Sequence, residues 1–124
     1  MFFDPGSVTA AKITEDAIYE GVRVRVRGSL GPARVSLQVD VGFGDVIVPG
    51  PIMVSYPALL DFPPAQLAGY TRESTIAEKL QAMVKLGVLN SRMKDFYDIW
   101  MLSRTFDFEG RTLAEAVEKT FVRR

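Results

Sequence analysis

Charged side chains lie among apolar ones on two predicted helices in the second half of the chain. At about 100° per residue, Lys79 falls inside the apolar arc of the first helix, between Met83 and Leu86. A lysine there either extends its ammonium from the edge of the core to solvent, or meets an anion, typically a phosphate, at the wall of a cleft. The residue pattern leaves both interpretations open.

On the second of these helices, Asp95 and Arg92 lie on the rim of the apolar arc, and Asp98 lies on the polar strip. Asp95 can form a structural ion pair with Arg92, or it can direct its carboxylate into a site. The loop between the helices is only residues 87–90, which favours antiparallel neighbours. We therefore predict that Lys79 lies within ion-pair distance of Asp95 or Asp98, in a pocket that also contains a third candidate residue, Asp40.

Asp40 ends a predicted strand beside a glycine-rich turn that includes Asp45. A carboxylate in this position can hold Mg²⁺, which takes oxygen ligands and keeps several waters, while Asp45 can cap the turn. Four arginines on the predicted strands can contact an RNA backbone or form a solvated strand face. They are Arg23, Arg25, Arg27 and Arg34.

Composition limits the chemistry that these residues can perform. The 124 residues include no cysteine and no histidine, and 15 basic residues balance 15 acidic ones. Disulfides, thiolate nucleophiles, histidine bases and metal sites built on cysteine or histidine are therefore excluded. Cysteine-free composition favours a reducing compartment. No apolar run approaches the ~20 residues of a membrane helix, and the first residues lack the charged region of a signal peptide. We expect a cytoplasmic protein without membrane contact.

The period of the apolar residues changes along the chain, and this change predicts an α+β fold. Residues 17–56 alternate as strands do, and residues 72–122 follow the helical period. We therefore expect a β-rich portion in residues 1–64 and a helical portion in residues 65–124, together forming one structural unit.

The strand portion is predicted to contain an antiparallel hairpin of about residues 17–28 and 33–41, closed by a Gly/Pro turn. Parity places the valines on one face, which should be buried, and the arginines on a more open face. A third strand is expected at residues 52–56. The predicted register pairs Val26 with Val35, Val24 with Leu37, Val22 with Val39, and Asp40 with Gly21.

Three helices are predicted in the second half of the chain. A glycine ends the first helix, Ser91 is the expected N-cap of the second, and Thr112 with Glu115 forms a capping box at the third. The apolar arc of the second helix predicts that Tyr97 and Trp100 lie in the core. The predicted ranges are residues 72–86, about 91–104, and 113 to the end of the chain.

Three segments in this order carry a resemblance to a known family. They read Val-Asp-Val-Gly-Phe-Gly-Asp (39–45), Ala-Glu-Lys-Leu-Gln-Ala-Met (77–83) and Asn-Ser-Arg-Met-Lys-Asp-Phe-Tyr-Asp-Ile-Trp (90–100). In this combination the chain resembles the nucleotidyltransferase AbiEii/AbiGii toxin family, and the resemblance spans nearly the whole sequence. It implies part of a polymerase-β-like nucleotidyltransferase fold.

The resemblance also implies an activity. Such a toxin of a type IV toxin–antitoxin system, acting in abortive infection, would transfer a nucleotide from an NTP to an RNA acceptor, often tRNA. A neighbouring gene would encode the antitoxin. Three carboxylates, Asp40 the third, would hold two Mg²⁺ ions that activate a hydroxyl. Lys79 and Arg92 would face the triphosphate, and Asp95 or Asp98 would orient Lys79 or act near the acceptor.

One part of the family pattern is absent from the sequence. Family members open with a Gly-Ser followed by an Asp-x-Asp that grips the metals and the NTP. Gly6-Ser7 is present, but the sequence contains no Asp-x-Asp. We therefore expect the C-terminal part of a longer family pattern, inactive alone, with a bare strand edge that favours a homo-oligomer or an apolar surface patch. The alternative is a non-catalytic RNA- or protein-binding module that uses the arginine face.

Overall fold

The computed structural model describes residues 1–13, 21–44 and 46–123, and it has the α+β fold that the sequence predicts. The chain divides into two compact units, Met1–Asp45 and Val46–Arg124. Within the described ranges, the first unit is an antiparallel sheet of three strands, and the second holds a two-stranded sheet and three α-helices. The predicted division after residue 64 falls inside the second unit.

The strands and helices are numbered in chain order over the described residues. A 3-10 turn at Gly87–Leu89 joins the first two α-helices. The bounds are β1 Phe2–Ile13, β2 Gly21–Leu30, β3 Ala33–Gly42, β4 Ile52–Tyr56, β5 Ala65–Gly69, α1 Arg72–Leu86, α2 Met93–Thr105 and α3 Gly110–Arg123.

Sequence patterns predicted β2, β3 and β4 but neither β1 nor β5. A register shift between Asp4 and Thr9 interrupts the pairing of β1 with β2, so a single period does not run through β1. β5 is a short Ala/Gln/Leu/Gly segment with low strand propensity, and it is a strand because it pairs with β4. Residues 17–20 of the predicted first hairpin strand, and Asp45 of the predicted turn, lie outside the described residues.

The register of the β2–β3 hairpin differs from the predicted one by two residues. Val24 lies opposite Val39, and Arg23 lies directly opposite Asp40. The predicted register leaves residues 29–32 as a four-residue loop, whereas the observed one adds the pairs Ser29–Arg34 and Leu30–Ala33 to the ladder. Gly31 and Pro32 form the turn, and Gly31 has φ 57°. A positive φ followed by the negative φ of proline matches a type II′ turn, whose twist suits a hairpin.

Because the register error is an even number of residues, the two faces of the hairpin are as predicted, but the apolar face is less buried. The valines of β2 are half-buried, whereas Leu37, Val39 and Val41 of β3 are exposed. The sheet order β1-β2-β3 leaves β3 paired on one side only among the described strands. The predicted burial of the valine face is therefore wrong for β3, and a homo-oligomer stays a prediction.

In the second unit, α1 packs against both α2 and α3. Ile76 and Ala77 of α1 and Ala116 of α3 are its buried apolar residues among those described. Tyr97 and Trp100 are exposed on α2, so their predicted place in the core is wrong. None of the described helices is long and apolar enough to cross a membrane.

The predicted end of α1 is confirmed, while both predicted caps of the later helices are wrong. Gly87 has φ 53° and donates its N–H to the carbonyl of Met83. The Ncap position of α2 is Arg92, without a side-chain cap, rather than Ser91. α3 begins earlier than predicted, because Glu109, three residues before Thr112, caps its N-terminus. The carboxylate of Glu109 accepts the backbone N–H groups of Arg111 and Thr112. Hydrogen bonds from Thr112, first from its hydroxyl, lower the pKa of Glu109.

The N-terminus of α1 generates a stability prediction. Oγ1 of Thr71 accepts the N–H of Ser74 at 3.2 Å, and the hydroxyl of Ser74 donates to the carbonyl of Val48 at 3.0 Å. Thr71→Ala should lower the free energy of unfolding by about 1 kcal/mol because the cap is lost. Thr71→Ser should retain most of the stability, since it keeps the hydroxyl. Urea denaturation followed by circular dichroism measures both, and equal losses in the two variants would contradict the capping role.

Candidate functional site

Lys79 of α1 forms ion pairs with two carboxylates of α2. Its Nζ lies 3.0 Å from Oδ1 of Asp95 and 2.7 Å from Oδ2 of Asp98. Both contacts also have hydrogen-bond geometry. The predicted ion pair is confirmed with both candidate partners, because Asp95 and Asp98 are three residues apart and share one face of the helix.

Antiparallel packing of α1 and α2 brings these residues together. At one end of the pair, the guanidinium of Arg72, at the start of α1, lies 3.7 Å from the ring centroid of Phe106, just after α2. Towards the other end, the turn Gly87–Leu89 reverses the chain. The middle of α1 is thereby placed beside the first turns of α2, where Asp95 and Asp98 lie.

Asp95 is the most deeply buried of the candidate site residues. Its exposed fraction is 0%, while the side chains of Lys79 and Asp98 are 21% and 39% exposed. A buried carboxylate requires compensating charge, which Lys79 supplies from α1. The N-terminus of α2 supplies more, since Asp95 lies in its first turn.

Arg92 completes the surroundings of Asp95. Its Nε lies 2.9 Å from Oδ2 of Asp95, which is an ion pair by distance. The N–H is not aligned for a hydrogen bond, so Oδ2 accepts none within the described part of the chain. Asp95 therefore forms an ion pair with Arg92 and contacts Lys79 at the same time. The two interpretations of its sequence position, a structural ion pair and a carboxylate directed into a site, are not exclusive.

The electrostatics keep Lys79 charged. Partial burial by itself would lower the pKa of Lys79, but hydrogen bonds to Asp98 and Asp95, and the negative charges of both, raise it above the usual value of a lysine. An ammonium has three N–H donors, and two of them are directed at the carboxylates. The third can donate to an anionic oxygen while the carboxylates hold the side chain in place.

Asp40 lies in the first unit, and its carboxylate is engaged by an arginine. Nε and Nη2 of Arg23 lie 2.8 Å and 2.9 Å from Oδ1 and Oδ2, and Gln38 donates to Oδ2 at 3.3 Å. The hydrogen bond from Arg23, more than any other contact, lowers the pKa of Asp40. A pocket shared by Asp40 and Lys79 stays a prediction.

The oxygen donors do not fit the expected Mg²⁺ site as they stand. Both oxygens of Asp40 accept hydrogen bonds from neighbouring side chains, and the positive charge of the Arg23 guanidinium beside them disfavours a cation at this carboxylate. No cluster of three or more acidic side chains with metal-binding spacing occurs within residues 1–13, 21–44 and 46–123. We assign no step to a metal, and the role of Asp40 as a metal ligand stays a prediction.

The four candidate RNA-contacting arginines have different surroundings. Arg23 is paired with Asp40, and Nε of Arg25 donates to Oε1 of Gln38 at 3.2 Å. Neither Arg27 nor Arg34 forms an ion pair with a carboxylate in the part of the chain that the structure describes. The alternation of the strand sequence could not show that Arg23 and Arg25 contact polar side chains while Arg27 and Arg34 do not pair with a carboxylate among the described residues.

Sequence reasoning missed the role of Ser7, which is buried at the irregularity of β1. Its hydroxyl accepts the backbone N–H of Arg27 at 2.9 Å and donates to the carbonyl of Asp4 at 2.7 Å. The hydroxyl thus supplies a ladder contact where the register of β1 and β2 shifts. The turn-forming run Asp4-Pro5-Gly6-Ser7 was the available signal.

Unequal burial of the two aspartates generates a prediction. Asp95→Asn should lower the free energy of unfolding by about 3 kcal/mol, because it removes a buried partner of two cations. Asp98→Asn is the matched control and should cost less than about 1 kcal/mol, since Asp98 is partly solvated. Chemical denaturation monitored by Trp100 fluorescence compares them. Equal costs would show that burial does not control this cluster.

The raised pKa of Lys79 predicts a dependence on alkaline pH. A lysine with a folded-state pKa above its usual 10.5 contributes stability in full below that value and loses the contribution as pH rises through the folded-state pKa. The stability difference between the wild type and Lys79→Met should therefore be constant near neutrality and shrink at pH above about 10.5. Urea denaturation across alkaline pH tests this, and a difference that grows with pH would contradict it.

Comparison with known proteins identifies the family of the chain. No curated protein and no solved structure matched the chain. A sequence model of the family described as "Nucleotidyl transferase AbiEii toxin, Type IV TA system" matches residues 2–124, which include every candidate site residue above. The chain therefore belongs to the AbiEii family of nucleotidyltransferase toxins of type IV toxin–antitoxin systems.

Proposed function

We propose that the Lys79 site acts in the transfer of a nucleotide from an NTP to a hydroxyl of an RNA acceptor. The observation that carries this proposal is the ammonium of Lys79, which Asp95 and Asp98 hold at 3.0 Å and 2.7 Å while one N–H remains for an anion. Family membership supports the reaction class. NTP and RNA are our proposals for the donor and the acceptor.

In the proposed reaction, an acceptor oxygen forms a bond to the α-phosphorus of the NTP. The bond from that phosphorus to the oxygen bridging the α- and β-phosphates breaks, pyrophosphate leaves, and the hydroxyl proton passes to a base or to solvent. Negative charge develops on the leaving group. The positive charge that Lys79 carries at neutral pH stabilises the negative charge on the leaving group.

The neighbouring residues have distinct proposed roles. Asp95 is a positioning residue, because it is buried and contacts Lys79 rather than solvent. Asp98 is more exposed and can lie near the acceptor while it holds Lys79. Arg92 has a half-exposed side chain and can add a second positive charge beside the triphosphate.

We further propose that the chain alone does not catalyse transfer. Its sequence contains no Asp-x-Asp, and Asp40 is engaged by Arg23. The same two observations favour the second candidate function for this chain, a non-catalytic module that binds RNA through the arginine face of the sheet. The two candidates differ in whether the Lys79 site takes part in a reaction that consumes NTP.

Proposed partners follow from the family and from the surface. A type IV toxin–antitoxin family implies an antitoxin, and we propose that a neighbouring gene encodes it and that the pair acts in the cytoplasm during abortive infection. A second copy of the chain is a further proposed partner, since Leu37, Val39 and Val41 are exposed on a strand paired on one side only among those described.

A substitution at Lys79 tests the proposed reaction in a family relative that carries the Asp-x-Asp. Replacement of the matching lysine by alanine should lower nucleotide transfer by about 100-fold or more, because a charge that stabilises the leaving group is lost. The fold should persist, since alanine favours helix. Radiolabelled NTP incorporation into RNA measures the activity, and circular dichroism measures the fold.

The exposed Lys94 on α2 provides the matched control, because Lys94→Ala removes the same charge from the neighbouring helix. The equivalent change in the relative should leave transfer unchanged. Near-wild-type transfer in the Lys79 variant would remove this lysine from the mechanism. Loss of folding in that variant would instead favour a purely structural ion pair.

A further inference from the structure

We infer that a cavity at the hairpin end of the first unit binds a nucleotide of single-stranded RNA, with its phosphate on Arg27 and Arg34 and its base on Phe2. The cavity has a volume of about 530 Å³. Its lining includes these three residues together with Asp4, Ser29 and Ser36. The inference rests on the proposed function only in naming RNA as the polymer.

The register of the sheet explains why these side chains share one face. Phe2 pairs with Ser29, which pairs with Arg34, so the three form one row across β1, β2 and β3. Directly paired residues project to the same side of a sheet. Asp4, Arg27 and Ser36 form the next row on that side.

The two arginines of the cavity are available to an anion. Neither is ion-paired to a carboxylate within the described residues, and both are exposed. Arg34 lies diagonally across from Arg27, a separation of about 7–8 Å between strands, which two long side chains can close around one phosphate. The backbone of Arg27 is held by Ser7, whose hydroxyl accepts its N–H at 2.9 Å.

Asp4 does not cancel the positive charge of the cavity by pairing with Arg27. It lies opposite Arg27 in the register, but no ion pair joins them, and its Oδ1 accepts the N–H of Gly6 at 3.0 Å. The second carboxylate oxygen can accept an amino group of a base or a ribose 2′-hydroxyl. This feature favours RNA over a simple anion.

Phe2 supplies an aromatic surface on the opposite side of the cavity. Phe2 is 67% exposed. Two strand spacings separate it from Arg34, about 10 Å, so a base can stack on the ring while its phosphate meets the arginines. The same sheet face continues with Arg25, whose printed partner is the neutral side chain of Gln38, so positive charge extends along the strand and suits a polymer better than a free nucleotide.

Fluorescence anisotropy of the full chain with a short labelled oligouridylate tests the inference without any catalytic readout. The double variant Arg27→Gln/Arg34→Gln should bind more weakly and should lower the salt slope of binding by about 0.7, since both arginines contact one phosphate and about 0.7 is expected for each phosphate contact to a single strand. Arg104→Gln, an exposed arginine of α2, is the control for loss of a positive charge outside the cavity and should bind as the wild type does. Phe2→Leu should weaken binding roughly fivefold or more because stacking is lost.

Competition separates the alternative ligands. Free ATP and inorganic phosphate should displace the RNA only at much higher concentration, and polyglutamate of equal charge should compete weakly. An unchanged affinity in the double variant, equal weakening by Arg104→Gln, or polyglutamate binding as tight as RNA overturns the inference. The proposed reaction is tested separately, by the lysine variant of the family relative, so RNA binding that depends on Arg27 and Arg34 upholds the cavity even if that variant leaves nucleotide transfer unchanged.

Discussion

The burial of one carboxylate constrains the second unit. Asp95 has no exposed surface, and an ionised carboxylate in that environment requires nearby positive charge. Lys79, Arg92 and the N-terminus of α2 supply it together. Removal of any one of these contributors leaves the negative charge of Asp95 poorly compensated. Because Lys79 lies on α1 and Asp95 on α2, the packing of the two helices depends on both side chains being charged.

Charged contacts between α1 and α2 have a consequence for the rest of α2. Because the face of α2 that meets Lys79 carries Asp95 and Asp98, its aromatic residues Tyr97 and Trp100 lie outside that contact and stay exposed. Their rings are 5.8 Å apart in a tilted arrangement. The apolar arc of α2 therefore identified a hydrophobic face of the helix, but it did not show whether another element packs against that face.

In the first unit, hydrogen bonding divides a uniform stripe of arginines into two pairs. Arg23 and Arg25 are held by Asp40 and Gln38. Arg27 and Arg34 border the cavity. The division depends on which polar residues the register sets opposite each arginine, and a shift of two residues changes every partner while leaving the faces unchanged. The same shift engages Asp40 with Arg23, which is why the expected metal ligand does not fit as it stands.

Local chemistry in the sequence determined the helix bounds of α1, the strand β4, the two faces of the hairpin and the approach of Lys79 to Asp95 and Asp98. Each of these follows from a period, a glycine or a short loop, which act over a few residues. The tertiary structure alone decided the hairpin register, the pairing of β5 with β4, the exposure of Tyr97 and the depth at which Asp95 is buried. These features depend on contacts between residues distant in sequence, and a periodic pattern contains no information about which distant residue will fill a given position.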